Sequence, residues 1–392
     1  MKWQRILTTG ALLLAATIAA GADEAKPEAA GPYAQWKNGP GKDASFFPLA
    51  VWAQEPSDAP RYQKAGINLF IGLEGRADTA LAELKKYGMH VICGQDAETL
   101  AHKDDPTIVG WMQGDEPDNA QDLPGHDGYG PPILPAKIIA KYEAMHKADP
   151  TRPVFLNLGR ATAWDELPDR GERSRHPEDY VEYVKGCDIA SFDIYPVAQN
   201  DSRVKNKLEF VGRGVERLVK FTDGRKPVWN CIECTRIDGG DKPSPKQVKA
   251  EVWIALVHGS HGIVYFCHVF KPTEDDHAIL DDPENLAAVT AINGQIRELA
   301  PALNSPTVKD ALKVESSNED LPVAAMVKKH GGATYVFAVA MKPGEAEATF
   351  TLEGLPAGAK VEVLGEDRKI APADGKFKDA FKDWDVHLYR IK

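Results

Sequence analysis

The chain has 392 residues, 27% of them charged, and a formal net charge of −11. That length is long for one domain and suits a barrel followed by a small module. The acidic balance argues against nucleic acid and anionic membrane surfaces as partners, and it leaves a neutral sugar open.

The first five residues carry Lys2 and Arg5, residues 6–20 are apolar, and Ala20-Gly21-Ala22 closes the run with small residues. This layout predicts a secretory signal peptide over 1–22 and a secreted or periplasmic protein. The apolar part falls short of the ~20 residues that a span needs, so no membrane span is expected. Loss of Lys2 and Arg5 takes the charge from −11 to −13. Residues 23–44, rich in Ala, Gly, Pro and charge, read as a flexible lead-in. Five cysteines are too few and too embedded in apolar runs for a disulfide framework. No pattern sets an oligomeric state.

From residue 45, apolar runs suited to buried strands fall at 47–52, 67–71, 90–93, 108–112, 153–158, 189–194, 228–232 and 262–266. Helical spacing fills 79–87, 136–146, 177–184, 208–221, 246–258 and 286–299. Ser244 followed by Pro245 reads as an N-cap with proline at the first helical position. Helix-to-strand joins are short, whereas strand-to-helix joins over 117–135, 159–176, 196–207 and 269–285 are long. In a (β/α)8 barrel those long loops lie on the C-terminal face and build the site. A doubly wound open sheet would need a G-x-G-x-x-G turn, and the sequence has none. The expected fold class is therefore α/β, a (β/α)8 TIM barrel over 45–304. Beyond it, short alternating strands at 311–315, 323–328, 334–339, 348–352, 361–364 and 386–391 follow, with a hairpin turn over 330–333. They predict a C-terminal all-β sandwich domain over 305–392.

Two segments carry the chemistry: IVGWMQGDEP over 108–117 and PVWNCIE over 227–233, each an apolar run that ends in a glutamate. In the seventh run Val228 and Ile232 share an outward face, while Trp229, Cys231 and Glu233 point inward. In the sixth, Ser191, Asp193 and Tyr195 face in and Ala190, Phe192 and Ile194 face out. Glu116 shares the parity of Ile108, Gly110 and Met112, with Asp115 on the other, and both are placed near the site. Two carboxylates meeting from separate strands are the minimal equipment for cleaving a glycosidic bond. A helix cap or a surface salt bridge is the plain alternative for either glutamate alone. Trp52, Trp111 and Trp164 are candidate stacking surfaces or core residues, and His268 is a candidate lining residue. Cys231-Ile-Glu-Cys234 lacks the second ligand pair of a zinc site and reads as strand packing. A bridge between Cys234 and Cys267 is compatible with an oxidising compartment. No cofactor is expected.

Gly114-Asp-Glu-Pro117 resembles the Asn-Glu-Pro motif of clan A glycoside hydrolases, retaining enzymes built on this barrel. The resemblance implies Glu116 as acid/base and Glu233, ending Trp229-Asn-Cys-Ile-Glu233, as nucleophile. Asp193-Ile-Tyr-Pro196 is similar to the strand whose tyrosine supports that nucleophile, which implies that Tyr195 orients Glu233. Asp115 stands where the clan has asparagine; ionised, it would raise the pKa of Glu116 and contact the sugar. Phe266-Cys-His268 replaces the tryptophan often found after strand 8. The His-x-His of metal-dependent amidohydrolase barrels is missing, since Val51-Trp52-Ala53 occupies its place, so no metal is expected. The implied function is a secreted O-glycosyl hydrolase that cleaves β-linked poly- or oligosaccharides, a β-glycan or β-galactoside, by double displacement. Asp115, Asp193, Tyr195, Trp52, Trp111 and His268 form its expected substrate-binding set. The alternative is a non-catalytic carbohydrate-binding protein on the same scaffold.

Overall fold

A computed structural model describes residues 31–392 apart from 124, 126, 356 and 357. The expected signal peptide over 1–22 lies outside the described residues, as does the lead-in before residue 31.

Eight parallel strands close into a barrel: β1 (Leu49–Trp52), β2 (Leu69–Ile71), β3 (His90–Gly94), β4 (Ile108–Met112), β5 (Val154–Leu158), β6 (Ile189–Asp193), β7 (Val228–Glu233) and β8 (Ser260–Phe266), with β8 pairing back to β1. Each matches one of the expected apolar runs to within two residues at either end. Both faces of such a strand are buried, one by the axis and one by helices, which is why these runs are nearly continuous in apolar residues. Ala50, Leu69, Ile92, Phe155, Trp229 and Val264 fill the axis.

The outer ring is α1 (Ala59–Lys64), α2 (Ala77–Lys86), α3 (Ala97–Ala101), α4 (Pro135–Ala148), α5 (Asp179–Tyr183), α6 (Glu209–Phe221), α7 (Pro245–Val257) and α8 (Pro283–Leu303). The six expected helices are present. The two extra ones, α1 and α3, span 6 and 5 residues, too few turns to show a period. Ser244 caps α7 as expected, and the side chain of Gln247 closes the capping box. Among the described residues, no helix is long and apolar enough to cross a membrane.

Two details depart from strand periodicity and sequence composition. Val91 pairs with Ile108 but Ile92 with Gly110, so β4 carries a bulge at Val109. Val109 and Met112 then face the axis, while Ile108 and Trp111 face the helices. The described part of the lead-in is not a free tail. Tyr33 and Trp36 pack into the barrel's N-terminal end. The Tyr33 hydroxyl donates to the carbonyl of His261 at 2.6 Å and accepts from the indole of Trp229 at 2.8 Å. Composition reported the segment's polarity and could not report those two anchors.

After α8 come β9 (Leu312–Ser316), β10 (Val323–His330), β11 (Ala333–Ala340), β12 (Glu345–Leu352), β13 (Val361–Val363), β14 (Arg368–Ile370), β15 (Lys376–Lys382) and β16 (Val386–Ile391). They form a three-stranded sheet, β9-β12-β15, and a five-stranded one, β10-β11-β16-β13-β14, packed over a shared core that includes Phe350, Phe377 and Tyr389. Gly331 and Gly332, with φ 55° and 72°, make the expected hairpin turn. The five-stranded sheet docks on α7, where Trp253 lies 5.4 Å from Phe337 between ring centroids. Covered by barrel and sandwich at once, α7 is buried almost all round.

Tyr33→Phe removes one donor and orphans the buried Trp229 indole N–H. Chemical denaturation is expected to show a loss of ~1–3 kcal/mol with an unchanged denaturant slope.

Candidate active site

The loop after β4 is pinned from three sides. The amide of Gln113 donates to the carbonyls of Ile138 and Gly186, at 2.9 and 2.8 Å. Asp118, fully buried, accepts from the Gly159 amide at 2.9 Å and from the Tyr180 hydroxyl at 2.7 Å. Between these anchors Glu116 sits at φ 38°, a left-handed conformation that L-residues other than glycine rarely adopt. Such strain persists only where surrounding contacts over-determine it; here the Glu116 amide donates to the Asn157 carbonyl at 3.1 Å.

The loops at the C-terminal mouth enclose a cavity of about 750 Å³. Asp115, Glu116 and Asp193 occupy its floor, with Trp52, Tyr195, Phe266 and Phe270 as aromatic walls and His268 beside Asp276 at the rim. Asn157, whose parity in β5 matches the inward Phe155, ties the floor together. Its single amide nitrogen donates to Asp193 Oδ2 at 2.9 Å and to Asp115 Oδ1 at 3.0 Å. The Cys231 thiol in turn donates to Asn157 Oδ1 at 3.6 Å. The carboxyls of Glu116 and Asp193 lie close enough to perturb each other's titration. Among the described residues, none of the three acids has an ion-pair partner; Arg160 lines the cavity but is engaged by Asp169 at 2.8 Å.

Three carboxyls around one amide cannot all ionise cheaply. Burial pushes Asp193 up to about 7, with Asp115 adding repulsion. Asp115 presents much of its surface to the cavity, and the water-poor concave setting raises it to about 6. Glu116 is raised well above the usual carboxyl range, first by burial and then by repulsion from Asp193, Asp115 and Asp118. The Glu116–Asp193 pair therefore keeps a proton to higher pH than free carboxyls do.

Of the expected site residues, Asp115, Glu116, Asp193, Tyr195, Trp52 and His268 converge on the cavity. His268 contacts Asp276 through Nδ1 and the Trp52 carbonyl through Nε2, each at 3.0 Å. Two do not converge. Trp111, turned outward by the β4 bulge, is fully buried among helices; its indole donates to Asp149 at 3.0 Å and Arg152 lies over its ring. Glu233, expected as nucleophile, has no exposed surface and does not border the cavity. Its two oxygens accept from the consecutive amides of Val197 and Ala198, both at 2.6 Å. Tyr195, just beyond β6, and Phe266, ending β8, flank β7 in the sheet order, and their rings meet 5.2 Å apart. Tyr195 was expected to orient Glu233. The charged groups acting on its hydroxyl are instead Asp193, Glu116 and Asp115, which raise its pKa further after burial.

Trp164 stacks on Phe210 at 4.9 Å, away from the cavity. The sulfurs of Cys234 and Cys267 lie 4.0 Å apart as free thiols. Sequence reasoning missed Asn157 and Phe270. Parity within the fifth run would have flagged Asn157 as an inward polar residue; no local signal marks Phe270.

No protein-family model and no curated protein sequence matches the chain. Solved structures do. One is a catalytic mutant of Gan42B, a GH42 beta-galactosidase from G. stearothermophilus, at TM-score 0.57 and 10% identity, covering 90% of this chain and 100% of that one. Another is AmyP in complex with maltotriose, at TM-score 0.54 and 9% identity, covering 92% and 98%. The likeness is one of fold. The expected (β/α)8 barrel with a β-sandwich after it is the architecture found, and the resemblance to barrel glycosidases holds at that level, with no single family marked out.

The folded-state pKa of Asp193 lies above its unfolded value, so its stabilising contribution is full below about 3.9 and is lost as pH rises through about 7. Asp193→Asn has no charge to bury. The difference in melting temperature between variant and wild type should therefore move in favour of the variant from about pH 4 to about pH 8, by the equivalent of a few kcal/mol. A shift in the opposite direction would mean that Asp193 is ionised without cost.

Proposed function

We propose that the protein is a secreted glycoside hydrolase that cleaves β-linked oligo- or polysaccharides at this cavity, with Glu116 as the proton donor. The observation that carries the reading is the placement of Glu116, its carboxyl held well above the usual range by burial and neighbouring acids, in a cavity lined by Asp115, Asp193 and aromatic walls. Aromatic rings offer flat apolar faces to sugar rings, and an acid with a raised pKa can protonate a leaving oxygen near neutral pH. As that oxygen departs, positive charge grows on the sugar. Asp193 and Asp115, ionised beneath it, would stabilise that charge in a water-poor site. The same floor disfavours uronic or sulfated sugars by like-charge repulsion. The β linkage rests on the Gly114–Pro117 motif, and secretion on the pattern over 1–22.

Double displacement through Glu233 is not the route these positions favour, because Glu233 has no exposed surface and does not border the cavity. Asp193 and Asp115 are the carboxyls that neighbour Glu116 in the cavity. The second role falls to Asp193 or Asp115 once a sugar parts the cluster. That same sealing of Glu233 favours the second reading, a barrel that binds carbohydrate without cleaving it.

A screen on β-linked glycans, with product anomers followed by NMR, separates the two. Cleavage by the wild type is expected, with Glu116→Gln lowering kcat by about 10²–10⁴-fold and changing sugar affinity little. The rate should rise with pH as Asp115 and Asp193 ionise, near 6 and 7, and fall again where Glu116 loses its proton. A wild type that binds glycans but is as inert as the variant would establish the binding-only reading.

A further inference from the structure

Glu233 does not stand alone behind the cavity wall. Its neighbour is Glu251, in the middle of α7 and equally without exposed surface. Among the described residues no N–H or O–H donor reaches either oxygen of Glu251; the group it meets is the Glu233 carboxyl. Two carboxylates in such a place would repel strongly, so the pair must retain a proton. Burial accordingly raises both, Glu233 to about 7.

On its other side Glu233 grips the start of the loop after β6, through the amides of Val197 and Ala198. That loop is a wall of the cavity, contributing Ala198, Gln199, Asn200 and Asp201. It is held tightly elsewhere too. The Gln199 amide donates to the Tyr195 carbonyl at 3.0 Å, and Asn206 to that of Pro196 at 2.7 Å. Gly240 packs so closely on Ala198 that a Cβ there would come within 2.0 Å of its carbonyl oxygen.

We propose that Glu233 and Glu251 form a buried, proton-sharing acid pair that fixes the cavity wall over 196–201, making Glu233 a positioning residue for substrate binding and not a nucleophile. A carboxylate offers an acceptor to each of two adjacent amides, and the shared proton keeps the second acid from opposing that arrangement. The kinetic part of this inference rests on the cavity being the site of glycoside cleavage; the structural part does not.

Two variants separate the roles. In Glu233→Gln one of the two amides faces an NH2 and loses its acceptor, so KM should rise about tenfold with kcat altered less than about threefold. Glu251→Gln donates permanently where the shared proton did, so both constants should stay within about twofold of wild type. Loss of kcat in Glu233→Gln at unchanged KM, with kcat restored to Glu233→Ala by added azide, would make Glu233 a nucleophile and overturn the proposal. No effect of Glu233→Gln on either constant would overturn it as well. Should wild type cleave nothing, or should Glu233→Gln fail to fold, amide hydrogen exchange decides. Val197 and Ala198 are expected to exchange slowly in wild type and in Glu251→Gln; fast exchange at both in wild type ends the case.

Discussion

A carboxyl group taken out of water must keep its proton, find a cation or collect N–H donors. The mouth of this barrel holds two groups of acids under that constraint, and each solves it without a cation. In front, Asp115 and Asp193 share one Asn157 amide, and Glu116 is set beside both with its pKa raised. Behind, Glu233 takes two backbone amides, and the charged group acting on Glu251 is the Glu233 carboxyl. The front group faces space and can hand its proton to something that enters. The rear group is closed off and can only hold its surroundings in place.

That division shows in what borders the cavity. Tyr195 and Phe266, with rings 5.2 Å apart, line it, whereas Glu233 does not and is set against Glu251 of α7. Two of the residues lining the cavity are strained. Glu116 at φ 38° and Ile237 at φ 45° both border the cavity, and a β-branched residue in that region is unusual. A closed barrel is a rigid base on which such loops can be held. The buried Asp118 and the bidentate grip of Glu233 are the local means by which two of them are held.

Much of the fold was legible because a parallel barrel buries both faces of its strands. Eight apolar runs separated by helical spacing leave few alternatives, and loop asymmetry indicates which end carries the site. Parity within β6 placed Asp193 and Tyr195 inward correctly, since that strand is regular. Parity failed in β4, where a bulge at Val109 sends Trp111 to the helices. The edge strands β14 and β15 went unread because short, charged segments carry little strand signal.

The sequence by itself determined the count of barrel strands, the order of six of the eight helices, the cap on α7 and the position of Glu116 near the barrel's mouth, because each depends on local periodicity or on a contiguous motif. Only the tertiary structure decided the partner of Glu116. Asp193 reaches it from another strand, Asn157 joins them from a third, and Glu233 is withdrawn by amides 35 and 36 residues away. Contacts of that range depend on how rings and backbone fill the space between strands, and no spacing along the chain encodes that filling.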